Sequence, residues 1–103
     1  MNILIKKNRK TIGEICNKYK VINLYLFGSA ISNEFNPKHS DIDLAVLFSV
    51  EIPVEDMAEH YFGLIEELEL LLNKPIDLVT LKSVKNQVFK DELEQTMIPL
   101  YAA

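Results

Sequence analysis

The sequence contains few of the residues that would place it in several broad classes of protein. Its single cysteine, Cys16, cannot build a disulfide scaffold. Basic residues are outnumbered by acidic ones, and the net charge of −4 argues against a protein that wraps DNA or RNA with a basic surface. We therefore expect no direct nucleic-acid binding.

Long apolar runs and flexible linkers are also missing from the sequence. No apolar stretch approaches the roughly 20 residues of a membrane span, and the opening MNILIKKNRK lacks the apolar core and cleavage site of a signal peptide. We therefore expect no membrane association and a cytoplasmic location. No repeat or Gly/Ser linker interrupts the 103 residues, so residues 1–103 are predicted to form one domain.

Apolar residues at helical spacing predict three helices. The first spans residues 8–20, where Thr11 and Glu14 stand in the relation of a capping box. The second lies between Pro53 and Asn73, and the third begins with Ser83 as its cap and runs, with a break at Asn86, to about Met97. The apolar stripe of the second helix comprises Val54, Met57, Ala58, Tyr61, Ile65, Leu68 and Leu72.

Three short apolar runs predict strands between these helices. They are VINLYLF at 21–27, IDLAVLF at 42–48 and PIDLVTL at 75–81. Strands that are apolar on both faces and alternate with helices are typical of an α/β fold, in which helices cover a sheet.

Three aspartates stand at the starts of the second and third predicted strands. Side chains alternate along a strand, so Asp41 and Asp43 point to one face. Asp77 lies in a similar run, IDLVT beside IDLAV, and can join them if the two strands are neighbours. Adjacent carboxylates repel each other unless a cation binds them, and oxygen ligands suit Mg²⁺ or Mn²⁺ rather than zinc. The set is compatible with a two-metal site that performs phosphoryl displacement.

A glycine and a serine follow the first predicted strand. Gly28 lets the backbone turn tightly and approach an anion, and the following N–H groups and the Ser29 hydroxyl can donate to the phosphates of a nucleotide. Taken in order, the strand, Gly28-Ser29, the loop, Asp41-x-Asp43 and Asp77 on its own strand resemble the minimal nucleotidyltransferases (MNT domains) of the polymerase β-like superfamily. The resemblance covers nearly the whole chain and implies that superfamily's core, a small mixed sheet covered by helices (α+β).

The resemblance implies an activity and a role for each residue of the motifs. An acceptor hydroxyl would attack the α-phosphate of a nucleoside triphosphate, which by family habit is ATP. Gly28 and Ser29 would hold the β- and γ-phosphates, and Asp41 and Asp43 would bind two Mg²⁺ ions. Asp77 would complete the metal site and accept the hydroxyl proton. Many MNT domains are antitoxins that transfer AMP to a tyrosine of a helical HEPN toxin, so a HEPN-type partner is expected.

The sequence departs from the family pattern in two ways. Eleven residues separate Ser29 from Asp41, where the family usually has ten, and Ala30 stands where an arginine is frequent. Without that arginine the triphosphate charge would be balanced by metal, by backbone, or by a lysine such as Lys38 or Lys82.

Two other functions stay open on the sequence. A transferase for a small hydroxylated molecule usually carries a second domain for its acceptor, and none is visible. A catalytically silent antitoxin would neutralise its partner by contact, which the three aspartates argue against. A domain of this size is also expected to form a dimer or a complex with its partner.

Overall fold

The computed structural model of the protein describes residues 3–28 and 41–103. The helices in these residues are α1 (Ile3–Lys7), α2 (Arg9–Lys18), α3 (Met57–Leu72) and α4 (Gln87–Thr96). The strands are β1 (Val21–Phe27), β2 (Ile42–Phe48), β3 (Ile76–Thr80) and β4 (Ile98–Ala102). Short 3₁₀ turns occupy Val54–Asp56 and Leu81–Ser83. Within the part of the chain described, no helix has the length and apolar character to cross a membrane.

The four strands form one mixed sheet in the order β3-β2-β1-β4. β1 pairs antiparallel with both β2 and β4, whereas β2 and β3 are parallel. A parallel pair needs a crossover connection, and α3 supplies it. The predicted mixed α+β fold is therefore confirmed.

The core lies between one face of the sheet and the helices α2 and α3. Leu24 and Leu26 of β1 point into it, and their strand neighbours on the opposite face are only half-buried. α4 contacts that opposite face, where the rings of Phe89 and Phe27 meet edge-on with their centroids 6.4 Å apart. Helices were expected to cover both faces of the sheet, but the face that α4 contacts is covered less completely than the core face.

The predicted bounds of β1 and β2 are confirmed, but β4 was missed. Its sequence, IPLYA, forms an edge strand beside β1. Pro99 cannot donate to a ladder, and an edge strand is where a sheet tolerates that loss. The short helix α1 was also missed.

Two predicted helix caps are wrong. α2 begins at Arg9, so Thr11 lies inside the helix, and the side chain of Asn8 donates to the Leu4 carbonyl instead of capping. Ser83 belongs to a 3₁₀ turn, and the cap of α4 is Asn86, whose side chain accepts a hydrogen bond of 3.1 Å from the Phe89 N–H. The predicted break at Asn86 is therefore the start of the helix.

The predicted apolar stripe of the long helix is confirmed at the five positions that are buried or pack against the core, which are Met57, Tyr61, Ile65, Leu68 and Leu72. Val54 and Ala58 are exposed instead, and Val54 belongs to the 3₁₀ turn that precedes the helix. Leu64 is buried although it was not part of the predicted stripe. α3 ends as predicted at Asn73, which adopts the left-handed conformation with φ 53°.

Candidate active site

The sheet places two of the three predicted aspartates side by side. In the parallel pairing of β2 with β3, Asp43 is the direct partner of Asp77. Directly paired residues point to the same face of a sheet, and Asp77 is near enough to raise the pKa of the Asp43 carboxyl. The two strands are thus neighbours, as the prediction required, and the two carboxyl groups meet near their amino-terminal ends.

The pKa of Asp43 is raised above its ordinary value by this arrangement. Partial burial is the largest cause, followed by the negative charge of Asp77 and the hydrogen bond between the two side chains. The charge of Asp41, an exposed residue just before β2, contributes in the same direction. Negative charge therefore accumulates at this site, and within residues 3–28 and 41–103 no basic side chain lowers the pKa of Asp43.

The donor chemistry of this pair fits a hard divalent cation. Carboxylate oxygens are the ligands of Mg²⁺ and Mn²⁺, and a cation would relieve the repulsion that raises the pKa of Asp43. No three His, Cys, Asp or Glu side chains in residues 3–28 and 41–103 are already grouped around a metal position. Asp43 and Asp77 form the core of the candidate site, and Asp41 would have to turn inward to become a third ligand.

Gly28 packs directly against Asp43. It follows β1 with φ 74°, a conformation that residues with a side chain rarely adopt. A Cβ at this position would lie 3.1 Å from Cγ and 3.2 Å from Cβ of Asp43, and closer still to a carboxylate oxygen. Ser29, Ala30 and Lys38 lie outside the described residues, so the phosphate-binding role of Gly28-Ser29 stays a prediction.

Phe27 neighbours the carboxylate pair, whereas Lys82, one of the two lysines proposed to balance the triphosphate charge, lies away from it. Phe27 is the strand partner of Asp43, so Phe27, Asp43 and Asp77 form a row across three strands on one face. The position of Phe27 directly before Gly28 in the sequence indicates that it lies near the site. No sequence pattern indicates that Phe89 packs on the Phe27 ring. Lys82 follows the carboxyl end of β3, whereas Asp77 is near the amino end.

Residues 10–103 match the family model described as Polymerase beta, Nucleotidyltransferase. The chain belongs to the polymerase beta nucleotidyltransferase family. It is a minimal nucleotidyltransferase, and the carboxylate pair on its β2 and β3 lies within the matched region.

Similar proteins support this membership. The chain is 37% identical over 95 residues to "Putative protein adenylyltransferase MJ1379" of Methanocaldococcus jannaschii, covering 92% of this chain and 89% of that protein. A solved structure of a "putative minimal nucleotidyltransferase" has a TM-score of 0.74 and 25% identity, covering 96% of each chain. A crystal structure of a toxin-antitoxin with AMP-PNP has a TM-score of 0.69 and 25% identity, covering 93% of this chain and 74% of that one.

Proposed function

We propose that this minimal nucleotidyltransferase is a metal-dependent protein adenylyltransferase that acts as the antitoxin of a HEPN/MNT pair. The observation that carries the proposal is the placement of Asp43 beside Asp77 with a raised pKa, which is chemistry suited to a divalent cation. The adenylyl group and the protein acceptor are supported by the name of the archaeal relative. The toxin-antitoxin role is supported by the similar complex that contains an ATP analogue.

In the proposed reaction an acceptor hydroxyl of the partner protein attacks the α-phosphorus of ATP. A bond forms from the acceptor oxygen to phosphorus, the bond to the bridging oxygen of the β-phosphate breaks, and pyrophosphate leaves. Asp77 takes the hydroxyl proton, which a carboxylate within hydrogen-bond reach can do. The products are the adenylylated partner and pyrophosphate.

The remaining roles belong to the residues around this carboxylate. Asp41 and Asp43, with Asp77, would hold one or two Mg²⁺ ions, which when bound neutralise charge on the phosphates. The backbone at Gly28 and Ser29 would hold the β- and γ-phosphates. We take residues 1–103 to act as one catalytic domain, and a reaction that consumes ATP suits the predicted cytoplasmic location.

The test combines the protein with its substrates and a defective variant. The purified chain is incubated with Mg²⁺, α-labelled ATP and the protein encoded beside its gene, and Asp43→Ala is run in parallel. We expect label on the partner only with the unaltered chain, and mass spectrometry then identifies the acceptor residue. A stable complex without label would favour the catalytically silent antitoxin, and label on a small hydroxylated compound alone would favour the small-molecule transferase.

A further inference from the structure

A cavity of about 330 Å³ opens at the end of the sheet opposite the carboxylates. It lies at the carboxyl ends of β2 and β3, between the segment that follows Phe48 and the turn that follows Thr80. Phe48 is five residues along β2 from Asp43, which corresponds to roughly 16 Å at the spacing of a strand. A molecule bound there would leave the carboxylate site free.

The walls of this cavity are part of the core, and its rim is apolar and exposed. Val46, Phe48 and Ile52 line the cavity and are buried members of the core, so the packing of the core holds this wall in place. At the rim, Val50 is 81% exposed and Val54 is 90% exposed. A preformed apolar cavity with exposed valines beside it resembles the pockets that receive anchor side chains at protein interfaces.

Charges of opposite sign lie in or beside the segments that form the cavity. Lys82 lines the side formed by the turn after β3, whereas Glu51 and Glu55 are exposed and directly follow the rim valines in sequence. Among the residues that the structure describes, the salt bridge joins Lys18 to Glu67, and Lys82 forms no salt bridge with any of them. This arrangement is complementary to a segment that carries charges of both signs around an apolar side chain.

We infer that this cavity docks the acceptor protein, an inference that rests on the proposed function. The occupant is an amphipathic segment of the acceptor that inserts one bulky apolar side chain between Val50 and Val54. It directs a basic residue toward Glu51 and Glu55 and an acidic residue toward Lys82. The cavity volume is at the lower end of the roughly 300–1,000 Å³ of small-ligand pockets, which suits a single side chain. Docking at this end holds the acceptor while its hydroxyl reaches the carboxylates.

The experiment measures binding and transfer separately with the full chain and the protein encoded beside its gene. Val54→Asn should weaken binding of that protein about tenfold, as loss of an interface anchor does. The KM for the acceptor should rise in proportion, while the kcat at saturating acceptor and the affinity for AMP-PNP stay unchanged. Lys82→Glu should weaken binding about threefold through charge repulsion.

The matched control is Phe62→Asn, because Phe62 is an exposed apolar residue of α3 that does not line the cavity. It should leave all four quantities unchanged. Unaltered binding by Val54→Asn, or a larger loss with Phe62→Asn, overturns the docking surface while the proposed function stands. A dimer of this chain that Val54→Asn dissociates assigns the cavity to a second copy and overturns it too. If the unaltered chain neither binds nor labels the acceptor, the proposed function fails together with this inference.

Discussion

The Cα atom of Gly28 lies against the carboxyl group of Asp43, with no room between them for a side chain. The glycine directly follows β1 and the aspartate is the second residue of β2, and the antiparallel pairing of Phe27 with Asp43 brings them together. Position 28 therefore requires glycine for the packing of Asp43 as well as for its positive φ. Gly28 of the Gly-Ser motif and Asp43 of the Asp-x-Asp motif are therefore in contact, although eleven residues separate the two motifs in the sequence.

Gly28→Ala tests this packing. The new methyl group would displace the Asp43 carboxylate, and a misplacement of about 1 Å costs roughly 100-fold in rate. The left-handed backbone adds a destabilisation of about 1–2 kcal/mol. We expect both effects in parallel measurements of AMP transfer and of thermal unfolding.

The matched control for that variant is Gly13→Ala. Gly13 lies within α2, and a Cβ there would be 3.5 Å from the Tyr101 ring, an ordinary van der Waals contact. Alanine in a helix is favoured over glycine by about 0.5–1 kcal/mol, so this variant should be more stable and equally active. Full activity of Gly28→Ala would show that Asp43 does not need its observed position.

Gly63 should respond to the same substitution in the opposite way from Gly13. A Cβ at Gly63 would be 2.5 Å from Cε1 of Tyr19, and the Tyr19 hydroxyl donates to Glu67, which fixes the ring. Overpacking of this kind costs about 1–3 kcal/mol, more than the gain from helix propensity. Gly63→Ala should therefore lower the urea midpoint.

The same Gly63→Ala substitution made in a Tyr19→Ala variant tests whether the Tyr19 ring causes the destabilisation. In the Tyr19→Ala chain the space beside Gly63 is open, so Gly63→Ala should become neutral or stabilising there. The double-mutant cycle measures this coupling. Equal effects of Gly63→Ala in both backgrounds would contradict the steric explanation.

Local sequence signals were sufficient for the central strands and insufficient for the edge. The runs at 21–27 and 42–48 are apolar and bounded by turn residues, so their limits matched β1 and β2. β4 pairs with β1 across most of the chain, Leu24 with Tyr101, and no local pattern encodes a partner so distant. Apolar periodicity likewise placed Val54 in the long helix, because it cannot distinguish the 3₁₀ turn at Val54–Asp56 from the helix that follows.

The carboxylate pair could be predicted because the tripeptide IDL occurs at the start of two predicted strands. The IDL of β2 aligns with the IDL of β3 in the sheet, so Ile42 pairs with Ile76 and Asp43 with Asp77. The contact of Gly28 with Asp43 depends on the antiparallel register of β1, which only the fold defines. Phe89 contacts Phe27 because α4 packs on that face of the sheet, and a sequence motif cannot predict such a tertiary contact.

Cys16 provides a probe of unfolding. It is buried in α2, and burial raises the pKa of its thiol to about 12. The thiolate is the reactive form, so the folded protein should resist alkylation at neutral pH, and labelling should follow unfolding. Mass spectrometry after iodoacetamide treatment in increasing urea should give the same midpoint as circular dichroism. Rapid labelling without urea would contradict the burial of this residue.

The raised pKa of Asp43 predicts how its removal changes stability with pH. Ionisation of this group is harder in the folded than in the unfolded protein, so its contribution to stability is fully present below its ordinary pKa of 3.8. That contribution is lost as the pH rises through the raised value. Without metal, Asp43→Asn should therefore be more stable than the unaltered protein at neutral pH, and the difference should disappear at acidic pH.

Urea midpoints measured across this pH range compare Asp43→Asn with Glu94→Gln, which removes an exposed carboxylate of α4. The control should show no such pH-dependent gain, because its carboxylate is solvated. A gain of the same size in both variants would mean that overall net charge is responsible and not the pairing with Asp77.

Magnesium should reverse this order of stabilities if the carboxylate pair binds it. An ion that binds only the folded state adds about 1.4 kcal/mol at ten times its Kd, so Mg²⁺ should raise the Tm of the unaltered protein. Asp43→Asn and Asp77→Asn should lose most of that rise, because each removes a charged oxygen ligand from the same site. The exposed Glu94→Gln variant should keep it, and a chelator should abolish AMP transfer while leaving the apo protein folded. An equal rise in Tm for all variants would place the bound ion elsewhere and remove the metal from the proposed site.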